Sequence, residues 1–263
     1  MTELLLFLGA GLIGGVVNAM AGGAKLFVFP LLLASGLPPI VANATGTAGV
    51  WPAQLPAALV YRKELLAHWR RLLLRLLPAV AGACVGAFAL IHSSDAAFLS
   101  VVPILLAISV TAIVLGPRAA TLARSWMPGS QLKVISIALL FGCGLYGGYF
   151  GAGVGFMLLA VLSLADGGGY RQANAQKNAI AFLMNSIAIV PLGLSGLIDW
   201  FAAATVVVGC LCGGYVGGRL TRSLPEGPTR IAVALLGILL TVAFLVHRSA
   251  NNNSMSGEYA FTF

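Results

Sequence analysis

The sequence predicts an all-α integral membrane protein of two inverted-topology repeats. Each repeat has five helical segments, giving eight long helices and two short or re-entrant ones. Three observations predict it. First, 59% of the 263 residues are hydrophobic and 8% are charged, whereas a soluble domain carries about 25% charged residues. Second, motifs recur in one order at an offset of 131 to 133 residues. Gly11-Leu12-Ile13-Gly14-Gly15 answers Gly144-Leu145-Tyr146-Gly147-Gly148, Ala42-Asn43-Ala44 answers Ala173-Asn174-Ala175, and Gly82-Ala83-Cys84-Val85-Gly86 answers Gly213-Gly214-Tyr215-Val216-Gly217. Third, 13 of the 15 Lys and Arg residues fall at alternate connections between apolar segments, the pattern that sets orientation in a membrane.

Taken in order, the apolar segments are 3–21, 24–37, 43–61, 70–91 and 98–116, then 132–150, 154–166, 178–197, 199–219 and 229–247. Most approach the roughly 20 residues that span a bilayer as helix. The second segment of each set is short and follows a glycine-rich break, Gly22-Gly23 in the first and Gly151-Ala152-Gly153 in the second. Short, glycine-interrupted segments at matching places in two halves point to a transporter's binding site. Residues 1–118 form the first repeat, 119–131 a cytoplasmic linker, 132–248 the second repeat and 249–263 a polar, asparagine-rich tail that reads as disordered. Pro30, Pro52, Pro56, Pro78, Pro103 and Pro191 fall inside apolar segments and predict kinks or breaks.

Arg62, Lys63, Arg70, Arg71 and Arg75 flank one connection, and Arg118, Arg124 and Lys133 a second. Arg171 and Lys177 belong to a third, and Arg219, Arg222 and Arg230 to a fourth. Alternating crossings put all four on the cytoplasmic side and both termini in the periplasm. An odd number of segments per unit then forces the copies to opposite topology. The positive charge serves orientation, so no nucleic-acid partner is expected. The partners are the lipid bilayer and a small solute, and a homodimer remains open.

The acids Glu3, Glu64, Asp95, Asp166, Asp199 and Glu226 all fall near segment ends. A cation carrier or a carboxylate proton relay would place one mid-helix, so the interior favours an anion. Lys25 follows the first break and begins a short helix. Lysine beside a helix N-terminus makes an anion cradle; the other reading is a side chain that snorkels to the cytoplasmic surface. Asn43, Thr45 and Thr47 begin the third segment, and Asn174, Lys177 and Asn178 begin its twin. These residues can donate hydrogen bonds to an oxyanion, or the asparagines can cap their helices. Gln54 and Asn185 match at offset 131 inside apolar helices; they bind substrate or bond to each other's helices across the repeats. Trp51 reads as packing at the edge of this site, and Trp69, Trp126 and Trp200 as interfacial anchors.

Cys84, Cys143, Cys210 and Cys212 lie in apolar runs without a nearby histidine and read as packing residues, so no metal or cofactor is expected. His68, His92 and His247 sit at segment edges, and no Gly-x-Ser-x-Gly or His-Glu-x-x-His pattern occurs, which argues against an intramembrane enzyme.

Ala21-Gly22-Gly23, Pro30-Leu31-Leu32, Gly36-Leu37-Pro38-Pro39 and Ala42-Asn43-Ala44-Thr45 resemble the first half of the TauE/SafE sulfite exporter family. Gly144 to Gly153, and Asn174-Ala175-Gln176-Lys177-Asn178, resemble its second half. The resemblance extends to about residue 247. It implies a bacterial inner-membrane permease that exports small sulfur oxyanions or organosulfonates, by alternating access around a site at the repeat interface. An anion channel or uniporter on the same architecture is the alternative. Two places depart from the pattern it implies: Ala24 and Lys25 stand where small residues such as Gly or Ser are expected, and Gly46 where Asn is expected.

Overall fold

The computed structural model describes residues 2–21, 23–166 and 170–221, together with positions 235 and 239. Gly22, nearly all of the last apolar segment (229–247), Arg222, Arg230 and the polar tail lie outside the described residues. Those described form helices and turns: α1 (Thr2–Ala21), α2 (Lys25–Ala34), α3 (Pro39–Val50), a short 3-10 turn (Trp51–Gln54), α4 (Leu55–Val60), α5 (Arg62–Ala67), α6 (Trp69–Ile91), α7 (Asp95–Trp126), α8 (Gly129–Tyr149), α9 (Val154–Asp166), α10 (Tyr170–Leu194) and α11 (Trp200–Thr221).

Among them, α6, α7, α8, α10 and α11 each contain a stretch of 18 to 23 residues apolar enough to cross a membrane. The apolar stretches of α1, α2 and α9 are shorter. Large apolar side chains such as Leu74, Phe88, Ile104, Val134 and Val190 face outward, as lipid contact requires, so the chain is a multi-pass membrane protein.

The segment 43–61, expected as one long helix, is broken. Pro52 opens the 3-10 turn and Pro56 opens α4. Each proline lacks the N–H that a continuing helix needs and crowds the preceding turn. Its twin α10 carries only Pro191, near its end, and stays continuous. The linker region is also more ordered than a tether. Helix α7 continues to Trp126, and Met127 and Pro128 alone separate it from α8.

Two seams hold the bundle. Helix α1 lies along α11, and α6 along α8. At Gly11 and Gly15 the place of a Cβ is taken by the carbonyl oxygens of Val206 and Cys210; Gly209 and Gly213 receive those of Leu8 and Leu12 in return. The other seam repeats this, with Gly144 and Gly148 against Ala79 and Ala83, and Gly82 and Gly86 against Phe141 and Leu145. In both seams the residue numbers rise together, so each pair of helices runs parallel. Lipid offers no hydrophobic drive between helices, and small residues at four-residue spacing let backbones approach closely enough for dispersion to act. The glycine motifs that recur in sequence are therefore the two sides of each seam. By these contacts Gly82 corresponds to Gly209 rather than to Gly213, one helical turn from the alignment that sequence similarity suggests.

Polar contacts tie helix starts together. Asp95 Oδ1 accepts from Ile40 N at 2.9 Å, and Thr45 Oγ1 accepts from Asp199 N at 3.0 Å. Ser94 caps α7 through Ala97 N, and Asp199 caps α11 through Ala202 N. These bonds hold the starts of α7 and α11 against α3. Arg124 at the far end of α7 reaches Ser163 O near the end of α9.

Candidate functional site

The candidate site lies where the two helix breaks meet. Helix α8 ends as Gly151 takes φ +79°, and Gly153 follows at φ +74°. Glycine adopts this left-handed conformation without a Cβ penalty. The amides of Phe150 and Gly151 both return to Tyr146 O, at 2.8 and 2.9 Å, which closes α8. Tyr146 Oη lies 2.6 Å from Ala152 O and 3.1 Å from Leu105 O, anchoring the break to α7. The first break needs no left-handed residue among its described positions, since Gly23 and Ala24 lead directly into α2.

An aromatic cluster draws the breaks together. Phe29 on α2 packs edge-on against Phe150 at the second break, with centroids 5.4 Å apart, and against Phe98 on α7 at 5.9 Å. All three rings are fully buried. Such pairs add roughly 0.5–1.5 kcal/mol each beyond the area they bury.

Lys25 is 6% exposed and donates its Nζ to Thr47 Oγ1 on α3. Thr47 in turn donates to Asn43 O, one turn back, at 3.0 Å. A methyl group placed on Gly151 would stand 3.6 Å from Lys25 Nζ, so the ammonium of the first break abuts the second. No carboxylate among the described residues pairs with Lys25. The snorkelling reading does not hold, because the head group is buried with its stem. One expected element of the cradle is also changed: the amides of Leu26 and Phe27 are taken by Gly23 O and Ala24 O, each at 3.0 Å. The helix dipole remains directed at this point, but those two N–H groups are occupied.

Gly46 explains how the lysine fits. A methyl there would lie 3.8 Å from Lys25 Cε and 3.6 Å from Val28 and Leu32 side-chain carbons. The two departures from the resemblance, Lys25 and Gly46, are thus neighbours, and the smaller residue leaves room for the longer one.

Asn43 is fully buried and donates Nδ2 to Tyr149 O at 2.8 Å. Its Oδ1 is buried without a hydrogen-bond partner. Asn43 and Lys25 therefore flank the same stretch, Tyr149 to Gly151. Thr45 is engaged by the amide of Asp199 and holds the start of α11. Gln54 Oε1 accepts from Asn185 Nδ2 at 3.2 Å, so these two amides join the 3-10 turn to α10. Trp51 stacks on Phe182 at 5.3 Å and donates to Ser186 Oγ at 2.7 Å, which fastens the broken third segment to α10.

Asn174, Lys177 and Asn178 are half-buried on the first turns of α10 and make no side-chain hydrogen bond among the described residues. No bond joins them to Lys25. Beside them Gln176, which sequence reasoning passed over, is buried and accepts from Arg75 of α6. Tyr146 was passed over too; its signal is a tyrosine inside an otherwise apolar, glycine-rich helix. Cys143 and Cys210 are buried in the seams, while Cys84 and Cys212 face outward. Among the described residues no three metal-ligating side chains gather.

A profile of the family described as sulfite exporter TauE/SafE matches residues 7–244. The chain is 26% identical to a "Probable membrane transporter protein" of Haemophilus influenzae over 88% of this chain and 90% of that one. It is 22% identical to "Probable membrane transporter protein YfcA" of Escherichia coli, covering 89% and 86% respectively. It is 25% identical to "Probable membrane transporter protein ORF9" of a Sinorhizobium species, covering 90% of each. No solved structure matches the chain.

Proposed function

The chain belongs to the TauE/SafE sulfite exporter family, and from that premise we propose that it exports a small sulfur-containing anion, such as sulfite or an organosulfonate, across the bacterial inner membrane. Transport proceeds by alternating access around the junction of the two breaks. The observation that carries the reading is Lys25, a buried ammonium bonded to a neutral hydroxyl and paired with no carboxylate among the described residues. A lysine at bilayer depth costs about 3 kcal/mol on insertion scales, and a bound oxyanion would offset that cost with charge-assisted hydrogen bonds.

The inverted repeat supports alternating access. Its basis is the matching pair of parallel glycine seams, α1 on α11 and α8 on α6. Exchanging the repeats converts one seam into the other. With the basic connections on the cytoplasmic side, the described start of α1 faces the periplasm. Asn174, Lys177 and Asn178 stand at the cytoplasmic start of α10, where they would receive the anion before it reaches Lys25.

Sulfite flux in proteoliposomes tests the assignment. Lys25→Met is expected to lower flux at least about tenfold, the loss of one charge-assisted contact. Undiminished flux in a folded Lys25→Met protein would remove Lys25 from the site. Lys177→Ala is expected to raise KM several-fold with a smaller change in kcat, as loss of an entry contact should.

A further inference from the structure

Asn43 holds a buried acceptor with no hydrogen-bond partner, its Oδ1. Tyr149 O can only accept, so the Asn43 amide must present Nδ2 to it, as the 2.8 Å contact shows. Oδ1 is left buried and unpaired. The backbone carbonyl of Asn43 is also occupied by the Thr47 hydroxyl, the same hydroxyl that receives Lys25 Nζ. The Asn43 amide and the Lys25 head group thus flank one three-residue stretch of the second break, Tyr149 to Gly151. A buried acceptor left unsatisfied costs on the order of 1–3 kcal/mol. Facing a bare oxyanion it costs more, because two acceptors repel.

We infer that Asn43 selects the protonation state of the substrate, so that the site takes a small oxyanion bringing its own hydrogen-bond donor. Hydrogensulfite is such an anion, with negative oxygens for Lys25 and an O–H for Oδ1. Sulfate and methanesulfonate offer oxygens alone. The inference rests on the reading of Lys25 as the anion contact and adds a second, opposite contact to it. A site built around a substrate donor discriminates strongly against analogues that lack it, because its own buried acceptor is then left unpaired.

The test is binding of hydrogensulfite and of methanesulfonate to the purified full-length protein in detergent, at a pH where sulfite is largely monoprotonated. The wild type is expected to bind hydrogensulfite at least about tenfold tighter than methanesulfonate. Asn43→Leu, similar in volume, is expected to bring the two affinities within about twofold. Equal affinities in the wild type would overturn the inference. So would an Asn43→Leu protein that loses affinity for both anions alike, since Asn43 would then serve only to hold Tyr149. If Asn43→Leu does not fold, the wild-type ratio decides alone. Lys25→Met separates the two readings: it should abolish binding of both anions, and if both persist the anion site itself is misplaced.

Discussion

Lys25 and Gly46 are neighbours in the structure, and the absence of a side chain at Gly46 leaves room for the lysine stem. An asparagine at position 46 would claim the space that now holds the lysine stem. Gly46→Asn is therefore expected to weaken sulfite flux about as much as losing Lys25, and Gly46→Ala far less, because a methyl makes ordinary contacts at 3.6 to 3.8 Å. Gln54 and Asn185 show the opposite outcome for a candidate site residue. Asn185 Nδ2 donates to Gln54 Oε1, and interhelical hydrogen bonds in membranes contribute about 0.6 kcal/mol on average. A double-mutant cycle with Gln54→Leu and Asn185→Leu, read by thermal unfolding in detergent, should return a coupling of about that size.

The element that most depends on its neighbours is the glycine seam. Gly144→Ala would drive a methyl into the carbonyl of Ala79, whereas nothing lies within 4 Å of a methyl on Gly142. Overpacking of this kind costs about 1–3 kcal/mol. Gly144→Ala should lower the thermal midpoint clearly, while Gly142→Ala, two residues away in the same helix, should leave it unchanged or raise it slightly. The third segment makes the same point in reverse. Its composition is that of a spanning helix, but Pro52 and Pro56 divide it, and Trp51 fastens the broken part to α10 through Phe182 and Ser186.

For the whole molecule, the side on which each connection lies is the testable quantity. With the four native cysteines replaced, a single cysteine at Met127, between α7 and α8, should react with an impermeant maleimide from the cytoplasm only. One at Ser94, between α6 and α7, should react from the periplasm only. Labelling of both from one side would break the topology on which the inverted repeat rests. Parallel packing of α1 with α11 and of α6 with α8 is what that topology requires, since each pair crosses in the same direction.

Composition determined that the chain lives in a membrane, because so few charges cannot cover a water-facing surface. The recurring glycines and the short second segments located the two breaks, since only glycine takes the backbone of Gly151 and Gly153 without strain. Tertiary structure alone decided what those residues face. The seam glycines needed a partner helix to define them, because an interface of small residues leaves no periodic signature of what lies opposite. Thr45 and Thr47 share a segment, yet one holds Asp199 and the other Lys25. Asn43 gives one N–H of its amide to Tyr149 O, 106 residues away, and keeps Oδ1 without a partner. An amide has two ends, and only the folded chain determines which of them remains free.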